Sequence, residues 1–159
     1  MGFSRGEPQT RAPVARDDWT LVSIASSRRG LTPAQLQKSL YLLGEAFPND
    51  LGPDFYKFRS INAGHFCQQI YTDAEALGKK GLVLIEVSEK DGWQHYSATT
   101  AGVIKARVLE MELSPPVLQR LRRAVEWVRN RSIEQLGRGR LDSPDSLWPS
   151  ADSRPARPR

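Results

Sequence analysis

The chain has 159 residues, a net charge of +5 and a single cysteine. That length fits one domain, and one cysteine excludes both an internal disulfide and a zinc site built from four thiolates. No apolar run approaches the roughly 18–20 residues that cross a bilayer, and residues 1–16 lack the apolar core of a secretory signal. We therefore expect a cytoplasmic protein without a membrane partner.

The excess positive charge lies mostly at the two ends. Residues 1–16 and 137–159 carry +2 each, whereas 17–136 hold 15 basic and 14 acidic residues. Both ends are rich in Pro, Ser, Arg, Asp and Gly and lack apolar periodicity. This composition predicts disordered tails at 1–16 and 137–159 around a folded domain at 17–136.

Two helices open the predicted domain. Two acidic residues in a first turn indicate a helix over 17–27. A second helix starts with Thr32 as N-cap, Pro33 at the first helical position and Gln35 completing a capping box. Its apolar face comprises Leu36, Leu40, Leu43 and Phe47.

A connector and a third helix follow. Within residues 51–61, the segment 55–59 alternates weakly and indicates a short strand. Asn62 is the predicted N-cap of a helix that runs to about Lys79. The expected buried face comprises Phe66, Ile70, Ala74 and Leu77. The expected polar face comprises Gln68, Gln69, Thr72, Asp73 and Glu75.

A hairpin and two more helices complete the domain. The runs 82–87 and 93–97 read as strands around the turn pair Asp91-Gly92. Thr99 or Thr100 caps a fourth helix, which carries Val103, Ile104, Val108 and Met111. A fifth helix runs from Ser114 to about Asn130, and 132–135 suggests one last turn. The predicted fold is α+β and mostly helical: a winged helix-turn-helix with a two-stranded wing and extra C-terminal helices.

Three motifs within residues 18–136 resemble a known group of proteins. Residues 31–43 resemble the "LTxxxLQKxLYLL" opening of small bacterial winged-helix proteins of the YwgA-like type and, more distantly, the Panacea antitoxin domain. Residues 70–77 with 81–83 resemble their third helix and its "GLV" entry to the wing, and residues 96–102 resemble the "YxxTxxG" exit. The resemblance implies a winged-helix fold, and His65 stands where these proteins often have a proline.

Residues with catalytic or metal-binding potential are few. His65 and Cys67 lie two apart, and side chains at that spacing on a helix do not converge. A pair of Cys67 with His95 has no flanking motif of a cysteine nucleophile. No phosphate-binding loop, zinc-protease helix or nucleophile elbow is present. We expect no enzymatic activity, no metal site and no cofactor.

Double-stranded DNA is the first candidate partner. Gln pairs with adenine and Thr contacts base edges or phosphate, whereas Lys suits phosphate. The candidate DNA contacts are His65, Gln68, Gln69, Thr72, Lys79, Lys80 and Lys90. Asp73 and Glu75 argue against DNA binding, since they are expected on or near the same face of the third helix and would repel the phosphate backbone.

The fifth helix offers a candidate protein interface. Arg and Trp are enriched at interface hot spots, and Arg120, Arg123 and Trp127 lie on this helix. We expect a homodimer or a protein partner there.

Two hypotheses follow. The first is a winged-helix DNA-binding protein that acts as a transcriptional regulator. The second is a protein-interaction module of the same fold, antitoxin-like or an accessory subunit of an assembly. A continuous positive strip across the third helix and wing favours DNA, whereas an exposed apolar patch favours a protein partner.

Overall fold

The computed structural model describes residues 14–61, 64–90 and 92–131. This part of the chain is α+β and mostly helical. Its elements are α1 (Arg16–Ala25), α2 (Pro33–Ala46), β1 (Arg59–Ile61), β2 (Gly64–Phe66), α3 (Gln68–Lys79), β3 (Val83–Val87), β4 (Gln94–Ala98), α4 (Thr100–Glu110) and α5 (Pro115–Arg129). The tails predicted at 1–16 and 137–159 lie outside the described residues, apart from 14–16, as do 132–135.

Helix α2 lies at the centre of the molecule. Its predicted start is confirmed: Thr32 Oγ1 accepts from the Gln35 backbone N–H at 3.2 Å, and Gln35 Oε1 accepts from the Thr32 N–H at 2.9 Å. Every residue from Leu36 to Leu43 is buried, including the polar ones between them. Helix α2 packs against α1, α5, β2 and β4. These four elements therefore pack around α2, whereas α3 and α4 pack against α1.

The predicted start of the third helix is wrong, and Asn62, its predicted N-cap, lies outside the described residues. Gly64–Phe66 form a strand instead, paired antiparallel with Arg59–Ile61 in the register Ser60 opposite His65. The strand predicted at 55–59 correspondingly begins later, at Arg59. Helix α3 begins only at Gln68, and Phe66, expected on its buried face, lies half-buried in β2.

The two predicted hairpin strands are confirmed as β3 and β4, whereas Asp91 of the predicted turn pair lies outside the described residues. They pair antiparallel from Val83 opposite Ala98 to Val87 opposite Gln94. On the other side of β4, Leu31 exchanges two backbone hydrogen bonds with Tyr96, at 2.9 and 2.8 Å. Because Leu31 directly precedes the cap of α2, this bridge fixes the hairpin base to the central helix.

The junction between the hairpin and α4 depends on Thr99 and Gly102. Thr99 caps α4 by accepting from the Gly102 N–H at 3.0 Å, and its hydroxyl donates to the Gly81 carbonyl at 2.7 Å. Gly102 lies so close to the Leu82 carbonyl that an added Cβ would overlap it. The "YxxTxxG" motif is thus explained by packing at this junction.

A buried polar network joins three separate segments. The Asp73 carboxylate on α3 accepts from Arg16 Nε at 2.9 Å and from the Tyr56 hydroxyl at 2.6 Å. The Tyr56 oxygen also lies 2.6 Å from Thr20 Oγ1 on α1. Asp73, Tyr56 and Thr20 are all buried. The network therefore holds α1, the connector and α3 in one arrangement.

We expect Gly102→Ala to destabilise the fold, since the new methyl group meets backbone atoms that cannot move independently. The expected loss in free energy of unfolding is about 1–3 kcal/mol or more. Thr100→Ala, an exposed change in the same helical turn, should stay within about 0.5 kcal/mol. Urea unfolding followed by circular dichroism measures both. Equal stability of the two variants would contradict the close approach.

We expect Tyr56→Phe to lower the free energy of unfolding by about 1–3 kcal/mol, because Asp73 loses a donor and the buried Thr20 hydroxyl loses its partner. The control is Lys57→Ala, which removes only an exposed bond to the Pro53 carbonyl. The same unfolding experiment tests the pair. A loss for Lys57→Ala as large as that for Tyr56→Phe would show that the network does not tie the connector down.

Candidate functional site

Helix α3 has one buried and one outward side. Ile70, Asp73, Ala74 and Leu77 are buried. Gln68, Thr72, Glu75 and Lys79 are exposed. The latter follow each other at intervals of four, three and four residues, so they share one face of the helix. We call these four residues the outward face of α3.

The outward face carries three of the predicted DNA contacts, Gln68, Thr72 and Lys79. A fourth, Gln69, is half-buried at its flank. Gln68 and Lys79 lie about 16 Å apart along the helix axis, given a rise of about 1.5 Å per residue. The polar and the basic residues thus occupy opposite ends of the same face.

Asp73 does not belong to this face, contrary to the sequence-based expectation. Its carboxylate is buried and holds a two-point contact with the Arg16 guanidinium, at 2.9 and 3.2 Å. The pKa of Arg16 is raised by this hydrogen bond. The carboxylate charge is therefore paired inside the molecule, and Glu75 is the acidic residue that remains outward on α3.

His65 is not part of the third helix. It lies in β2, where its ring stacks on Tyr41 of α2 with the centroids 4.0 Å apart and the planes at 13°. The prediction failed because Gly64–Phe66 satisfy backbone hydrogen bonds with β1 rather than within a helix. His65 thus packs against α2 rather than lining the outward face.

The predicted lysines lie at two places. Lys79 and Lys80 are exposed at the C-terminal end of α3, and Lys80 Nζ is 3.8 Å from the Asp17 carboxylate. Lys90 is exposed near the hairpin tip, where its backbone N–H donates to Ser88 Oγ. Part of the positive charge at the end of α3 is therefore offset by α1.

The hairpin exposes apolar side chains on both of its faces, with Leu84 near its base and Val87 and Trp93 nearer its tip. Leu84, Val87 and Trp93 are exposed, and we call these three residues the hairpin surface. In the observed register, Leu84 projects to the face opposite that of Val87. The neighbouring exposed charges are Glu86, Glu89 and Lys90. This part of the hairpin has no excess of positive charge.

Gln37 is a positioning residue that sequence reasoning missed. Its side-chain amide donates to the Cys67 carbonyl and accepts from the Cys67 N–H, both at 2.9 Å. Cys67 precedes α3 and supplies no side-chain cap of its own. A buried glutamine in the middle of an apolar helix was the available signal, since buried amides need partners.

The predicted interface residues of α5 lie on one stripe. Arg120, Arg123 and Trp127 are half-buried and border the apolar side of α5 that packs against α2. The Arg131 guanidinium lies 4.1 Å from the Trp127 ring centroid. Burial and the neighbouring charge of Arg123 lower the pKa of Arg120. The stripe is thus strongly cationic and partly desolvated.

An open cavity of about 560 Å³ lies between α2, the connector and β2. Aromatic rings form part of its walls, and the His65 ring is among them. The aromatic lining residues are Tyr41, Phe47, Phe55, Tyr56, Phe58 and His65. Within the described ranges, no cluster of three or more His, Cys, Asp or Glu side chains is placed to hold a metal ion.

Tyr96 is buried in β4 near Tyr71 and Glu75 of α3 and gives the structure a pH dependence. Burial, together with the nearby Tyr71 and Glu75, raises the pKa of Tyr96 to about 12. The unfolded chain releases this proton near pH 10. The stabilisation that Tyr96 contributes is therefore fully present below about pH 10 and is lost as the pH rises towards about 12.

We expect the free energy of unfolding to fall between pH 10 and 12, and Tyr96→Phe to reduce the steepness of that fall. Urea unfolding at several pH values measures it, with phenolate absorbance reporting ionisation. Tyr56 and Tyr71, whose pKa values are also raised by burial, keep part of the dependence in the variant. An unchanged slope in the variant would contradict the role of Tyr96.

Comparisons of this chain with protein-family models, with curated proteins and with solved structures found no match. Among the described residues, no helix combines the length and hydrophobicity that a bilayer crossing requires.

Proposed function

We propose that this protein is a winged-helix protein-interaction module, antitoxin-like or an accessory subunit of a multi-protein assembly. The hairpin surface is its contact with the partner. The observation that carries the proposal is the exposure of Leu84, Val87 and Trp93 on both faces of a ribbon without excess positive charge. Exposed apolar side chains on a projecting element favour a protein partner over a phosphate backbone.

The winged-helix assignment is supported by element order and by the Leu31 bridge. Helices α1, α2 and α3 precede the hairpin, and Leu31, between the first two helices, pairs with β4. Ile85 of β3 approaches Gly78, so the hairpin base lies beside the C-terminal part of α3. One departure is the segment 47–67, which contains the connector and pairs β1 with β2 where a helix-turn-helix has a short turn.

DNA binding is the second candidate function, and one observation favours it. Because Asp73 is turned inward and paired with Arg16, Gln68 and Thr72 remain available on the outward face of α3. Glutamine suits adenine, and threonine suits either a base edge or phosphate. Glu75 on the same face and Glu86 and Glu89 on the hairpin oppose a phosphate backbone, so we rank this function second.

Two double variants separate these functions. Val87→Ser with Trp93→Ser removes apolar surface from the hairpin, and Gln68→Ala with Thr72→Ala alters only the outward face of α3. We expect the tagged wild-type protein to co-purify from its source cells with one partner in fixed stoichiometry. The hairpin variant should lose at least about tenfold of that partner, whereas the α3 variant should retain it.

Titration of labelled duplex DNA at about 50 and 200 mM salt tests the DNA-binding function. We expect no specific binding of the wild-type protein at either concentration. Salt-sensitive binding that the α3 variant loses would favour the DNA-binding function instead. Retention of the protein partner by the hairpin variant, with its fold verified by circular dichroism, would overturn the proposal.

A further inference from the structure

Helix α4 carries an apolar stripe that points away from the core. Ile104, Val108 and Met111 are 62%, 52% and 76% exposed, and their spacing of four and three residues places them on one face. The opposite side of α4, with the buried Gly102 and Ala106, packs towards the interior. The α4 segment thus exposes Ile104, Val108 and Met111 to the solvent, whereas Leu109 packs against the core.

The charged residues beside this stripe complement those of a second, antiparallel copy of the same helix. Lys105 and Glu112 are both exposed and lie seven residues apart, which places them on the same flank. The chain keeps helical turns to that point, since the Glu112 N–H donates to the Leu109 carbonyl at 2.8 Å. When two copies of such a helix run antiparallel, Lys105 of each copy meets Glu112 of the other.

We propose that α4 is the interface between two copies of this chain, related by a two-fold axis with the α4 helices antiparallel. Ile104, Val108 and Met111 of each copy pack against those of the other, and two Lys105–Glu112 pairs flank them. An isologous contact needs a surface that complements itself, and this stripe has both apolar and charge complementarity. Arg107, on the other flank, approaches its own copy and limits the strength of the association.

The stripe on α5 fits a second copy less well. Arg120, Arg123 and Arg131 surround Trp127 there, and a two-fold contact would bring these cations together. The partly buried Arg120 already experiences repulsion from Arg123. An acidic partner suits the α5 stripe, whereas a second copy suits α4.

The size of the contact sets the expected affinity. A standard interface buries about 800 Å² on each partner, and one short helix covers less than that. We therefore expect a monomer–dimer equilibrium that depends on concentration, with a dissociation constant in the micromolar range. This inference is independent of the hairpin surface and of the proposed function.

Sedimentation velocity of the full chain over about 1–500 μM tests the interface. We expect the dimer fraction to rise with concentration and Val108→Asp to raise the dissociation constant at least tenfold. The matched control is Leu84→Asp, which puts the same charge at another exposed apolar site, on β3, and should leave dimerisation unchanged. A protein that stays monomeric over the whole concentration range overturns the inference. This holds whether the stripe is then open to solvent, covered by residues 132–159 or covered by another protein.

Charge reversal tests the antiparallel geometry. Lys105→Glu and Glu112→Lys should each weaken the dimer several-fold because each creates two like-charge pairs. The double variant restores both pairs in reversed polarity, so it should dimerise close to wild type at low salt. Failure of the double variant to recover, or a dimer that Val108→Asp leaves intact, would overturn the assignment of this interface.

Discussion

The arrangement of the molecule depends on the buried carboxylate of Asp73. A buried charge is stable only when it is paired and hydrogen-bonded, and this one takes its partners from Arg16 on α1 and Tyr56 in the connector. Thr20 extends the network on α1. Helix α3 can satisfy Asp73 only in the rotation that directs Ile70 and Leu77 inward, so the same contact decides which side chains face the solvent.

The sequence predicts those features that local chemistry determines. Thr32 and Gln35 form their capping box as expected, because both partners lie within four residues. Strands β3 and β4 also pair as expected, since the β-rich composition of the two runs is a local signal. The start of α3 was not predictable in this way: Gln37 holds Cys67 across thirty residues of sequence, and β1 takes up the segment that precedes it.

The candidate site shows the same division between local and distant information. Helical periodicity places Gln68, Thr72 and Glu75 on one face correctly. It also assigns Asp73 to the polar side, because periodicity treats a charged residue as exposed, and the distant Arg16 is what makes its burial stable. The sequence predicts His65 on a helix, because no local pattern indicates that its ring stacks on Tyr41.

The two exposed apolar surfaces differ in the charges around them, and this difference separates their roles. The hairpin surface lies on a projecting ribbon beside Glu86, Glu89 and Lys90, a set with net negative charge that does not complement a second copy. The α4 stripe has Lys105 and Glu112 in positions that do. Thr99 joins the two elements through its cap and its bond to Gly81, so a dimer built on α4 holds both hairpins at fixed positions. In the proposed dimer, two hairpins held in this way would contact the proposed partner together, and the avidity would then exceed that of a single hairpin.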